Sequence, residues 1–226
     1  ASGVLPRPGG CPSSPCSGLL PDAPPMTPAA PITLPAPDLA ARLQEGSPGL
    51  FPTDTLPALA SRPAQAAELW RLKQRPSDKP LILMGADLEQ LQGVLGVPWR
   101  QEWLAMAEQG WPGALTLVLP AQGATLQALH PGGTSLGLRV PACPRAQELL
   151  RCSGPLATTS ANPSGEPAAA TADAAARMFP GLALLGPLPW PQGGGQASTV
   201  LAWQEGEEAP GGWQVLRAGA LLPAGI

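Results

Sequence analysis

Apolar residues recur at helical spacing in some segments and form short continuous runs in others, and the two kinds of segment alternate. The spacing predicts helices over residues 39–43, 63–72, 87–95, 100–108, 144–150 and 172–179. Short apolar runs predict strands over residues 81–84, 115–119, 135–140, 156–159, 182–185, 199–203 and 213–216. This alternation is typical of an α/β domain, and we expect a single one whose twisted, mostly mixed or antiparallel sheet is flanked by helices.

The first part of the chain shows neither the helical spacing of apolar residues nor the short apolar runs of strands. Residues 1–36 are dominated by Pro, Ser, Gly and Ala, a composition that cannot bury enough apolar surface to fold. We therefore expect residues 1–36 to form a disordered Pro-rich tail and residues 37–222 to form the domain. Met26 lies inside this tail, and a chain starting there would lose nothing that is expected to fold.

Composition narrows the classes of function. The chain has 226 residues, of which 44% are hydrophobic, and a net charge of −3, so there is no global basic field to attract nucleic acid. Its single histidine, His130, excludes a histidine-rich metal site and disfavours a Ser-His-Asp triad. The chain has no apolar run long enough to span a membrane, and its four cysteines do not have the spacing of a small disulfide-rich secreted domain. We therefore expect a cytoplasmic protein with reduced thiols.

The two lysines of the chain lie close together. Lys73 and Lys79 flank Arg75 just ahead of an apolar strand, while every other basic residue of the chain is an arginine. A lysine ammonium binds phosphate as a compact point charge, so the segment is compatible with an anion site. A solvated turn with two lysines in it explains the same residues equally well, and the segment alone does not decide.

Other candidate residues are equally ambiguous when taken singly. The chain has neither a P-loop nor a Rossmann glycine motif, so a nucleotide site would have to be assembled from hydroxyls, basic groups and backbone amides. Residues 158–165 supply hydroxyl and amide side chains after a strand, although an ordinary turn would also use them. Arg139 ends an apolar strand, and residues 52–55 form a polar turn.

Together, however, these segments resemble one family. The sequences Phe-Pro-Thr-Asp-Thr at 51–55, Lys-Gln-Arg at 73–75, Trp-Pro-Gly-Ala-Leu-Thr at 111–116, Leu-Arg-Val-Pro at 138–141 and Thr-Ser-Ala-Asn-Pro-Ser-Gly at 159–165 occur in its order and spacing. The chain is similar to the YrdC-like family, the threonylcarbamoyl-AMP synthases, from about residue 38 to residue 222.

The resemblance implies an enzyme that joins L-threonine, bicarbonate and ATP to give threonylcarbamoyl-AMP and pyrophosphate. A downstream complex would pass the threonylcarbamoyl group to tRNA, with at most weak RNA contact by this chain. The residues implied for ATP are Lys73, Arg75, Lys79, Ser135, Ser160, Asn162 and Arg217. Lys73 and Arg75 are also the implied catalytic pair, expected to face a cleft. The residues implied for threonine are Thr55, Met84, Arg139, Thr158 and Ser198, with Arg139 pairing the carboxylate. Mg²⁺ would be held through the ATP phosphates, without a metal site on the protein.

One segment departs from the family pattern. After the Pro-Thr-Asp-Thr turn the family usually continues Val-Tyr-Gly-Leu-Gly, whereas this chain has Leu-Pro-Ala-Leu-Ala at 56–60. The family glycine would be needed at position 58 if the backbone there required a positive φ or a close approach. The departure leaves a second hypothesis open, a catalytically altered paralogue that binds nucleotide or RNA. Carbamoyl transfer of the kind used in hydrogenase maturation is a third and weaker one.

Overall fold

The computed structural model describes residues 1, 3, 30–205 and 211–226. The chain divides into the units Ala1–Ala30 and Pro31–Ile226, and every helix and strand of the described part belongs to the second unit. The strands are β1 (Thr33–Leu34), β2 (Gly49–Phe51), β3 (Ala58–Ser61), β4 (Ile82–Met84), β5 (Leu115–Pro120), β6 (Ser135–Arg139), β7 (Leu156–Ser160), β8 (Ala183–Leu185), β9 (Thr199–Gln204) and β10 (Gly212–Arg217). The helices are α1 (Ala36–Gln44), α2 (Ala67–Lys73), α3 (Leu88–Gln92), α4 (Gln101–Gly110), α5 (Ala124–Leu129), α6 (Pro144–Ser153) and α7 (Ala172–Met178), with a 3₁₀ turn at Pro63–Gln65.

All strands join one mixed sheet in the order β1-β8-β2-β3-β7-β4-β6-β5-β9-β10. The pairs β1–β8, β2–β8, β4–β6 and β5–β9 are parallel, and the other neighbouring pairs are antiparallel. The α/β class and the mixed sheet predicted from the sequence are therefore confirmed. In the described residues, no helix is long and apolar enough to cross a membrane.

The predicted boundary between tail and domain at residue 36 is wrong. Thr33 and Leu34 form β1, which pairs in parallel with Leu184 and Leu185 of β8, and α1 begins at Ala36. Leu34 packs against a buried apolar cluster, which is why this short piece of the Pro-rich segment is part of the sheet. The expectation of disorder for residues 4–29 lies outside the described residues.

The two faces of the sheet are covered differently. The leucines at positions 83, 117, 138 and 201 are completely buried on one face, in a core that also contains Trp70 of α2 and Trp103 of α4. On the other face, α1 and α6 pack over residues from β2, β3 and β8 in a second apolar cluster. The rest of that second face, toward β9 and β10, is where a cavity lies.

Candidate functional site

The cavity has a volume of about 450 Å³, and its floor is one face of the sheet. Met84 pairs with Arg139 across β4 and β6, and Thr116 pairs with Val200, which lies opposite Arg217 in the β9–β10 pair. Side chains alternate between the faces of a strand, so residues in one cross-strand row point the same way. Strand register therefore gathers residues from distant parts of the chain on this floor.

The structure brings most of the sequence-predicted site residues to this cavity. Every residue implied for threonine lines it, namely Thr55, Met84, Arg139, Thr158 and Ser198. Of the residues implied for ATP, those lining it are Arg75, Ser160, Asn162 and Arg217. The remaining three, Lys73, Lys79 and Ser135, do not line it.

Lys73 lies underneath the loop that follows β7. Its side chain is 3% exposed, and Nζ donates to the carbonyl oxygens of Ser160 at 2.6 Å and Asn162 at 2.5 Å, and to Asn162 Oδ1 at 3.1 Å. The backbone amide of Ser164 in turn donates to the carbonyl oxygen of Lys73. The expectation that Lys73 faces an open cleft is therefore wrong, because oxygen atoms of the loop accept the hydrogen bonds of its ammonium group. In this structure it holds the loop that presents Ser160 and Asn162 to the cavity.

This loop is also fixed from within. Ser160 Oγ donates to Asn162 Oδ1 at 2.6 Å, and Asn162 Nδ2 donates to the carbonyl oxygens of Pro163 and Glu166.

Burial, and after it the positive charge of Arg75, lowers the pKa of Lys73 from 10.5 to about 8. An anion placed near this amine would oppose the shift, because it favours the charged form.

Arg75 follows α2 and faces the cavity. Gln74 ends the helix in a left-handed conformation, with φ 51°, which turns the chain so that Arg75 leaves the helix direction. Its Nη2 donates to the carbonyl oxygen of Pro80 at 3.0 Å, and its Nη1 lies 3.5 Å from Thr159 Oγ1. Arg75 Nε is buried and has no hydrogen-bond partner. Burial lowers the pKa of this guanidinium, which Asp78 partly offsets, and a cation in this state is suited to an anionic ligand.

Arg139 is held by protein groups on several sides. It is 3% exposed, and its Nη2 lies 2.9 Å from each carboxylate oxygen of Asp54. Its Nη1 donates to Thr55 Oγ1 at 2.9 Å, and its Nε donates to the carbonyl oxygen of Gly113 at 3.0 Å. Burial lowers the pKa of Arg139, and Asp54 opposes that shift. The anionic partner that an arginine at a strand end needs is thus Asp54, a residue that sequence reasoning placed only in a turn.

Two hydroxyl groups that line the cavity contact each other. Thr116 Oγ1 and Ser198 Oγ are 2.9 Å apart and buried. Arg217 donates to the carbonyl oxygen of Ser198 through Nε and Nη2, at 3.2 and 2.9 Å. Thr116 was missed as a site residue because it reads as one polar position in an apolar strand. Its opposition to Val200 across the sheet is what places it on the floor.

Two predicted ATP residues lie elsewhere. Lys79 is exposed and does not line the cavity. Ser135 starts β6 at the end away from Arg139, where its carbonyl oxygen is 2.9 Å from His130 Nδ1. The position of Ser135 follows from strand direction, since β6 runs from Ser135 toward the cavity and reaches it at Arg139.

The segment that departs from the family pattern folds without backbone strain. Ala58 begins β3 and pairs with Ser160, and in the described residues Gln74 is the only non-glycine with positive φ. A positive φ at position 58 is therefore not needed, and the Ala58 side chain is buried in the second apolar cluster. Pro57 and Ala58 both line the cavity. The backbone amide of Ala161 donates to the carbonyl oxygen of Pro57, which ties this segment to the β7 loop.

A glycine segment at 193–195 lies against the turn that carries Thr55. The amide of Gly194 donates to the carbonyl oxygen of Asp54 at 2.9 Å, and that of Gly195 to the carbonyl oxygen of Thr55 at 3.3 Å. A Cβ on Gly193 would lie 2.2 Å from the carbonyl oxygen of Thr55, so no other residue fits there without movement. Sequence reasoning missed this contact, which only the fold reveals.

Comparisons with known proteins identify related sequences and a related fold. A family model named Sua5/YciO/YrdC, with the description "Telomere recombination", matches residues 41–219. The threonylcarbamoyl-AMP synthase of Bacillus subtilis (strain 168) is 37% identical over 168 residues, which are 72% of this chain and 48% of that protein. The threonylcarbamoyl-AMP synthase of Stenotrophomonas maltophilia (strain K279a) is 39% identical over 137 residues, which are 57% of this chain and 72% of that protein.

A solved structure, that of P. abyssi Sua5 complexed with L-threonine, matches with a TM-score of 0.73 and 30% sequence identity. The match covers 84% of this chain and 57% of that one. The chain thus spans about half the length of the B. subtilis relative and somewhat more of the P. abyssi protein.

Proposed function

Because the chain belongs to the Sua5/YciO/YrdC family, we propose that it forms threonylcarbamoyl-AMP and pyrophosphate from L-threonine, bicarbonate and ATP. The observation that supports this most is that one cavity carries two chemically different ends. Arg75 faces it beside Thr159 of β7, and Arg139, paired with Asp54, faces it beside Thr55. A polyanion fits the first end, and a small zwitterion with a hydroxyl group fits the second.

At the nucleotide end, Arg75 is the residue best suited to stabilise negative charge as pyrophosphate leaves. Its guanidinium lines the cavity and carries a buried Nε without a partner. Ser160 and Asn162 would orient the phosphates, and Lys73 would hold their loop and add positive charge from below. Fixed donors of this kind act without reorganising during the reaction, so positioning and charge stabilisation suffice and no protein nucleophile is required.

At the amino-acid end, the threonine would lie among hydroxyl groups. Thr55, Thr158 and Ser198 line the cavity together with Arg139 and Met84. We assign the threonine carboxylate to the neighbourhood of Arg139. The neutral threonine amine would attack the carbon of bicarbonate with loss of water, and an oxygen of the resulting carbamate would attack the α-phosphate of ATP and displace pyrophosphate.

We propose that Mg²⁺ arrives with the nucleotide, held through the ATP phosphates. Within the described ranges, no group of three or more His, Cys, Asp or Glu side chains could hold a metal ion. Mg²⁺ held in this way would neutralise part of the negative charge of the phosphates. The threonylcarbamoyl-AMP product would then serve a transferase that modifies tRNA.

The test is incubation of the purified protein with ATP, Mg²⁺, bicarbonate and L-threonine, followed by measurement of pyrophosphate and of the adenylate. We expect both products, with formation requiring threonine and bicarbonate together. ATP binding without any adenylate under these conditions would reject the synthase and leave the nucleotide-binding paralogue.

A further inference from the structure

Of the charged groups at the cavity, Arg139 differs from the others in how its charge is balanced. Among the residues that the structure describes, the salt bridges join Arg71 to Glu68, Arg100 to Glu205 and Arg139 to Asp54. Arg75 and Arg217 line the cavity and take part in none of them. The charge of Arg139 is therefore balanced by a carboxylate in direct contact with it, whereas no salt bridge among the described residues balances the charge of Arg75 or Arg217.

Asp54 also fixes the place of Arg139. Its carboxylate accepts two hydrogen bonds from Nη2, and its Oδ1 accepts a third from the backbone amide of Ala142, at 2.9 Å. Asp54 is next to Thr55, which binds the same guanidinium through Oγ1. The carbonyl oxygen of Asp54 accepts from Gly194. One residue thus joins the turn at 53–55, the end of β6 and the glycine segment.

The difference in charge has a consequence for what each end accepts. A buried guanidinium without a counter-charge attracts any small anion, because charge-assisted hydrogen bonds are strong where water is excluded. A guanidinium that is already bound to both oxygens of a carboxylate is fixed in place and can still donate hydrogen bonds to a ligand. Its net electrostatic attraction for an anion is small, because the carboxylate balances its charge. A neutral zwitterion then competes well against inorganic anions at that end.

We propose that Asp54 is a positioning residue that determines specificity at the amino-acid end, by holding Arg139 in place and cancelling its charge. The Arg139 guanidinium then favours the carboxylate of a zwitterionic amino acid over a free inorganic anion, while Arg75, which has no salt bridge, is left for the polyanion. The inference rests on the proposed function, because it concerns the subsite assigned to threonine. Asp54 does not line the cavity and acts through Arg139.

The test uses Asp54→Asn, which keeps the size and the oxygen acceptor but removes the charge. Glu68→Gln is the matched control, since it removes one carboxylate charge from an exposed pair on α2. Equilibrium binding of L-threonine and of ATP is measured for each protein, with and without sulfate. In Asp54→Asn we expect threonine affinity to fall by about tenfold or more while ATP affinity changes by less than about twofold.

Competition by sulfate distinguishes the proposed role of Asp54 from a purely structural one. It should compete with threonine in Asp54→Asn, where Arg139 is left without its carboxylate, and should not do so in the unmodified protein or in Glu68→Gln. Unchanged threonine affinity in Asp54→Asn overturns the proposal. A loss of threonine binding without sulfate competition overturns it as well, because a distorted turn alone would produce that result.

A second pair of variants keeps the test available if Asp54→Asn does not fold. Arg139→Met and the double variant Asp54→Asn with Arg139→Met should bind threonine equally weakly, because Asp54 acts through the guanidinium that both lack. A clear difference between these two would show a direct role for Asp54 and overturn the proposal. If the unmodified protein binds ATP but no threonine at all, the proposed function itself fails.

Discussion

Raising the pH from about 7.5 to about 10 should stabilise the folded protein through Lys73. Burial lowers the pKa of this lysine to about 8 in the folded state, against an ordinary value of 10.5. Between these values the unfolded chain binds more protons than the folded protein, so the free energy of unfolding rises with pH. One pKa unit corresponds to about 1.4 kcal/mol, which gives a gain of roughly 2 kcal/mol by about pH 10.

The composition of the chain makes this range of pH easy to interpret. It has no tyrosine, and its lysines are Lys73 and Lys79, so few other groups titrate in the range apart from the four cysteines and the α-amino group. The matched variant Lys73→Met keeps all of these groups. The difference between the two proteins therefore isolates the contribution of Lys73.

The assay is urea denaturation followed by tryptophan fluorescence, in the presence of a reductant, at several pH values. The unmodified protein should gain about 2 kcal/mol relative to Lys73→Met over this range. Lys79→Met should behave like the unmodified protein, because Lys79 is exposed. An equal pH dependence in the unmodified protein and in Lys73→Met would refute the reasoning, since it would mean that Lys73 keeps an ordinary pKa in the folded state.

Three further predictions concern the cavity and its surroundings. Arg75→Gln should weaken ATP binding by about tenfold or more with little change in melting temperature, measured by calorimetry against the exposed Arg71→Gln as control. A chain starting at Met26 should keep the melting temperature of the full chain, whereas one starting at Pro37 should melt several degrees lower because it lacks β1; equal melting of the two would contradict a role for that strand. Ala58→Gly should reduce the free energy of unfolding by about 1–2 kcal/mol, because a buried strand position with no positive φ gains nothing from glycine. An Ala58→Gly variant as stable as the unmodified protein in urea would show that the methyl group is not packed as described.

The sequence predicts the strands from β4 to β10 and misses β1, β2 and β3. β3 (Ala58–Ser61) consists mainly of alanine and follows a proline, so its local pattern gives no strand signal. It is a strand because β2 and β7 pair with it on both sides. β1 was missed because it lies in a Pro-rich segment, and α5 because its six residues are too few for a clear helical period.

For the site, the sequence identifies residue types that suit the chemistry but not the partners of each group. The burial of Lys73 depends on carbonyl oxygens at 160 and 162, which lie far along the chain and enter through tertiary packing. The pairing of Asp54 with Arg139 likewise needs the end of β6 to meet the turn at 53–55. Contacts of this kind have no local signature, whereas most of the site residues taken from the family motifs do line the cavity.

The pairing of distant strands also affects when ligand binding becomes possible during folding. Ala58 lies opposite Ser160, and Thr116 lies opposite Val200, so the cavity floor joins the first half of the chain to the second. Contacts between residues far apart in sequence form slowly, because a long loop must close before any contact compensates for it. A partly folded chain with α2 in place would carry Arg75 without the loop that follows β7. ATP should therefore bind only after the topology is complete, and it should slow unfolding rather than speed folding.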